Sequence, residues 1–120
     1  MHTRSLVSVV DDDESVRVAT SSLLRSLGWD VCIYASAESF LESGRLDEVA
    51  CVISDIQMPG MTGLQMQQRL REMGHALPIV FITAFASESV RRQALEGGAV
   101  CLLSKPVDGA VVSQCLEKLR

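Results

Sequence analysis

Five times along the chain, a short run of aliphatic and β-branched residues gives way to a segment with apolar residues at helical spacing. The runs are Ser5–Val10, Trp29–Ala35, Val49–Ser54, Ile79–Ile82 and Ala99–Leu103. Each is too short for a helix and reads as a strand. The segments between carry Val16, Ala19, Leu23, Leu24 and Leu27, then Phe40 and Leu41, then Leu64, Leu70 and Met73, then Val90, Ala94 and Leu95. The last carries Val111, Val112, Cys115, Leu116 and Leu119. Asp13, Ser36 and Ser87 stand where a helix N-cap belongs, and Gly28, Gly44, Gly74 and Gly97-Gly98 stand where helices stop. Strict strand–helix alternation predicts a parallel sheet with helices on both faces. Right-handed crossovers and the strand order 2-1-3-4-5 place the first and third strands side by side. The expected fold class is therefore α/β, a doubly wound sheet of five parallel strands with five helices.

The 120 residues suffice for one domain, not two. A net charge of −4 without any Lys/Arg block argues against nucleic-acid binding by this segment itself. The apolar run before Asp11-Asp12-Asp13-Glu14 is too short for a signal peptide, and no run approaches membrane-spanning length. Cys32, Cys51, Cys101 and Cys115 are widely spaced in apolar surroundings, with His2 and His75 the only histidines. Free buried thiols in a reducing cytosol are the expectation.

The chemistry sits where the strands end. The first run stops at Asp11-Asp12, the third at Asp55, the fourth at Thr83 and the fifth at Lys105. In a parallel sheet these ends share one edge, the edge where ligands bind. Three carboxylates, a hydroxyl and an ammonium would converge there. Two like charges 4 Å apart repel by about 4 kcal/mol at an effective dielectric near 20, so the carboxylates require a partner. Lys105 offsets part of that repulsion, and a hard divalent cation offsets more. Few carboxylates with open positions suit Mg²⁺, which retains waters and favours phosphate oxygens. An Asp beside such an ion, an ammonium and a hydroxyl is equipped for phosphoryl transfer, with the carboxylate as nucleophile.

Val9-Val10-Asp11-Asp12-Asp13, Ser54-Asp55-Ile56-Gln57-Met58-Pro59-Gly60 with Gly63, Ile82-Thr83-Ala84, Gly98-Ala99 and Lys105-Pro106 together resemble the receiver domain of bacterial two-component response regulators. The resemblance covers essentially the whole chain and implies a flavodoxin-like fold. It implies that Asp55 is the phospho-acceptor, taking its phosphoryl group from a phosphohistidine on a sensor histidine kinase. It further implies Mg²⁺ (Mn²⁺ as an alternative) held by Asp12, Asp55 and the backbone carbonyl of Gln57, with Asp11 acting through a coordinated water. Thr83 and Lys105 would bind the phosphoryl oxygens, and the Lys105–Pro106 bond would be cis. Leu102 occupies the position of the family's usual Tyr or Phe switch residue and cannot hydrogen-bond outward. Phe85 borders the expected path of hydrolytic water and is expected to slow self-dephosphorylation.

The pattern is most similar to regulators with a C-terminal helix-turn-helix of the LuxR type. It implies a cytoplasmic signalling domain over residues 1–120 that is not a classified enzyme, makes no membrane contact, and homodimerises when phosphorylated. DNA would be reached only through an output domain absent from this chain. The expected switching surface comprises the Ser87–Gly97 helix, the fifth strand and the final helix. A stand-alone receiver acting by protein contact is the alternative. An aspartate-nucleophile phosphatase of the haloacid dehalogenase type would need a second Asp where Gln57 stands. A flavodoxin-like cofactor binder would need a Gly/Ser/Thr phosphate loop where Asp11–Glu14 stands.

Overall fold

The computed structural model describes residues 6–119. The expected strand start at Ser5, the histidine at position 2 and the chain end at Arg120 lie outside the described residues. In chain order the elements are β1 (Leu6–Val10), α1 (Glu14–Ser26), β2 (Asp30–Tyr34), α2 (Ala37–Leu41), β3 (Val49–Asp55), α3 (Gly63–Glu72), β4 (Ile79–Thr83), α4 (Glu88–Glu96), β5 (Cys101–Ser104) and α5 (Gly109–Glu117). A 3-10 turn over Leu46–Glu48, without a counterpart in the sequence reading, precedes β3. The strands form one parallel sheet in the order β2-β1-β3-β4-β5, as expected.

Two strands begin later than their apolar runs. Trp29 and Ala99 were both expected within strands, yet each donates its N–H backwards, to Leu24 and Ala94 respectively. Gly28 and Gly98, at φ of +94° and +100°, turn the chain so that the next residue closes the last helical turn. The first apolar residue after each glycine thus serves the helix, and β2 and β5 start at Asp30 and Cys101. At the other ends, Asp13, Ser36 and Ser87 accept the expected N-cap hydrogen bonds. Thr62 and Asp108 cap α3 and α5 as well, Thr62 in a reciprocal capping box with Gln65.

Strand alternation divides the core between two faces. Val10, Val52, Phe81 and Leu102 pack with Phe40, Met66, Leu70 and Ala94 from α2, α3 and α4. Val7, Val9, Ile53, Val80 and Ile82 pack with Leu24, Val112 and Leu116 from α1 and α5. Each such full burial is worth about 1.5–3 kcal/mol, so the sheet is held from both sides. One of the buried polar groups is unsatisfied. The hydroxyl of Ser8, in the middle of β1, is fully buried and finds no hydrogen-bond partner among the described residues. An unmade buried hydrogen bond costs about 1–3 kcal/mol. Ser8→Ala is therefore expected to raise unfolding stability by about 1 kcal/mol, read as a higher urea midpoint at unchanged slope.

Candidate functional site

The register of the sheet assembles the site. Val10 pairs with Ser54, so Asp11 and Asp55 leave adjacent strands side by side. Thr83 pairs with Ser104 at the ends of β4 and β5, and the Lys105 N–H donates to the Thr83 carbonyl at 3.0 Å. That bond starts Lys105 toward the middle of the sheet. Its Nζ reaches Asp55 Oδ2 at 3.0 Å and Asp11 Oδ2 at 3.2 Å. The Lys105–Pro106 bond that follows is cis, as the resemblance implied.

The acidic groups are sharply oriented. Asp55 is 7% exposed, and its Oδ1 accepts the N–H of Ile56 at 2.7 Å. Asp11 is buried, and its Oδ1 accepts the N–H of Asp13 at 2.9 Å. Burial pushes the Asp11 carboxyl above its usual range, and the Asp55 charge pushes the same way. The Asp13 N–H and Lys105 act against both. For Lys105, burial opposes the charge, but the hydrogen bond to Asp55 and the charges of Asp11 and Asp55 outweigh it and hold the ammonium above its ordinary value.

Carboxylate oxygens of Asp11, Asp12 and Asp55 all lie within 4.8 Å of one another, with Asp12 exposed to solvent. Three carboxylates crowd against the single ammonium of Lys105, an excess of negative charge that a divalent ion would offset. Oxygen-only donors with one side open to water fit Mg²⁺ chemistry. Gln57 is exposed in the loop after β3, two residues beyond Asp55.

Thr83 and Leu102 do not join this cluster directly. Thr83 is buried, but its Oγ1 accepts from the Phe85 N–H at 3.3 Å and donates to the Phe85 carbonyl at 3.2 Å. Leu102 is buried on the α2–α4 face of the sheet, among core residues. The Phe85 ring is 76% exposed and shields nothing in this conformation.

Two residues that the sequence reading did not single out, Arg17 and Glu38, support the site, together with Gly63 of the turn motif. The Arg17 guanidinium donates to the Asp11 carbonyl at 2.8 Å. Glu38 on α2 accepts the Met61 N–H at 3.2 Å and covers Gly60, whose φ is +75°. Gly63, named earlier only as part of a motif, packs its Cα directly on the Asp55 backbone carbonyl and donates its N–H to Ile56 at 2.7 Å. No local pattern announces the first two, because each depends on side-chain reach between elements.

The family described as the response regulator receiver domain matches residues 7–117. The chain is 38% identical over 104 residues to Nodulation protein W of Bradyrhizobium diazoefficiens, covering 87% of this chain and 46% of that protein. It is 41% identical over 102 residues to the transcriptional regulatory protein TdiR of Thauera aromatica, covering 85% of this chain and 45% of the relative. The chain thus spans about half the length of these curated relatives. Among solved structures, the response regulator StyR superposes with a TM-score of 0.88 at 37% identity, covering 97% of this chain and 59% of that one. FixJ-N superposes at 0.86 with 28% identity, covering 99% and 94%. Among the described residues, no helix is long and apolar enough to cross a membrane. On its sequence match, its sheet order and the acidic cluster at the ends of its strands, the chain belongs to the response regulator receiver domain family.

Proposed function

We propose that Asp55 is the phospho-acceptor of a signalling switch, receiving its phosphoryl group from a phosphohistidine on a sensor histidine kinase. The observation that carries this reading is Lys105 Nζ seated 3.0 Å from Asp55 Oδ2, beside Asp11 and Asp12. Asp12, Asp55 and the Gln57 carbonyl would hold Mg²⁺ directly, and Asp11 through a water. When bound, the ion neutralises charge on the phosphoryl oxygens. Asp55 attacks phosphorus, and the bond to the imidazole nitrogen of the donor breaks. Lys105 exchanges its Asp55 contact for a phosphoryl oxygen.

Thr83 must leave its hydrogen bonds with Phe85 to donate to the phosphoryl group. That movement releases the loop between β4 and α4 and biases the α4–β5–α5 surface. Leu102, lacking a hydroxyl, takes part only through packing. The domain is a signalling module of the cytoplasm that catalyses its own phosphorylation rather than an enzyme with a separate substrate. TdiR and FixJ carry names of transcriptional regulators, which supports an output through a DNA-binding domain beyond residues 1–120. A receiver acting by protein contact alone is the second form of the same reading. Size-exclusion chromatography after treatment with Mg²⁺ and acetyl phosphate distinguishes them. A dimer formed only by the phosphorylated protein supports the first form, and a persistent monomer the second.

We further propose that Phe85 sets the lifetime of the phosphorylated state. Once Thr83 turns inward, the neighbouring ring closes over the acyl phosphate and excludes water. Phe85→Ala is expected to shorten the half-life of the phosphorylated form by about threefold or more, measured by phosphate release. An unchanged half-life refutes this role.

A further inference from the structure

Three of the four cysteines lie on one face of the sheet, away from the acidic cluster. Cys51 is fully buried on β3, Cys101 is half-buried on β5, and Cys115 is buried on α5. Cys101 Sγ and Cys115 Sγ stand 2.7 Å apart, well inside the roughly 4 Å of ordinary side-chain contact. Cys101 and Cys115 are 14 residues apart in sequence and belong to neighbouring elements whose packing aims both thiols at the same point. Cys32 sits on the opposite edge strand, against the Arg45 guanidinium at 2.8 Å.

We propose that Cys101 and Cys115 are an oxidisable pair that closes to a disulfide under peroxide and fastens α5 to β5. Cys101, the more accessible thiol, reacts first. Its sulfur takes one peroxide oxygen, becoming a sulfenic acid, and the other oxygen leaves as water. The Cys115 sulfur then displaces the sulfenic oxygen as a second water. One S–S bond replaces two S–H bonds, and two electrons and two protons pass to the peroxide. Burial, followed by the hydrogen bond and charge of Cys115, pushes the Cys101 thiol up to about 12, with Lys118 acting in the opposite direction. The thiolate is therefore scarce at neutral pH, and the bond forms slowly under sustained oxidant rather than as a fast peroxide response. The bond does not depend on the phosphorylation reading.

The test oxidises the intact protein with millimolar hydrogen peroxide, then blocks free thiols with a maleimide in denaturant before digestion. Trypsin leaves Lys105-Pro106 uncut, so the peptide spanning 93–118 holds both cysteines. Its expected state after oxidation is unlabelled and about 2 Da lighter, returning to two labels after reduction. The oxidised protein should also melt about 10 °C higher, because a ring of this length is closed in the unfolded chain. Cys115→Ala should lose both effects while accepting phosphate normally. Two labels on that peptide after oxidation, or a disulfide that maps to Cys32 or Cys51, overturns the proposal.

Discussion

Gly63→Ala is expected to cost the domain about 2–3 kcal/mol and to lower its melting point by about 10 °C. A Cβ at this position overlaps the Asp55 carbonyl oxygen and stands 3.0 Å from the Ile56 Cα and from Phe81 Cε1. Two of these neighbours are backbone atoms of the segment that carries Asp55, and Phe81 is a fully buried core ring. None can rotate away. The gain in helix propensity, at most about 1 kcal/mol at the first residue of α3, does not offset the overlap. The chain must shift, and Asp55 shifts with it, so phosphorylation falls along with stability. Gly109→Ala is the matching control. There a Cβ meets only the far end of the Leu23 side chain at 3.0 Å, and the expected change is within about 1 kcal/mol. Equal losses at both positions in urea denaturation contradict the role given to Gly63.

Lys105→Met is expected to lower the rate of phosphorylation by acetyl phosphate about 100-fold. The methionine keeps the aliphatic stem but removes the charge that faces Asp55 and Asp11. Mg²⁺ affinity should not fall with it but stay equal or become tighter, because the carboxylate cluster then lacks its competing cation. That pair of results separates loss of phosphoryl stabilisation from simple collapse of the site. Collapse would weaken both. A Mg²⁺ titration of the unphosphorylated variant, followed by rate measurement at saturating ion, makes the distinction.

Much of the architecture was legible because both faces of the sheet are covered. Val49–Asp55 and Ile79–Thr83 are buried at nearly every position, so Val49–Ile53 and Ile79–Ile82 stand out as apolar runs before their polar ends. Strand starts were less legible, since Trp29 and Ala99 look like strand residues but close helices. The site residues could be gathered from sequence because parallel topology carries strand ends to one edge, even across the 50 positions between Asp55 and Lys105. What topology does not carry is side-chain direction. Thr83 stands at the expected strand end, yet its hydroxyl faces its own loop. Glu38 and Arg17 hold the site's backbone from helices without any motif. The sequence predicts free buried thiols; both members of the pair are free, but Cys101 is only half-buried, and only packing brings the two together.

Mg²⁺-dependent phosphoryl transfer to Asp55, as proposed, has a direct mass readout. Intact mass spectrometry after incubation with Mg²⁺ and acetyl phosphate tests it on wild type and Asp55→Asn. Wild type is expected to gain one addition of about 80 Da, abolished by chelation of the ion and absent from the variant. The same addition in Asp55→Asn, or one in wild type that survives removal of the ion, would contradict it.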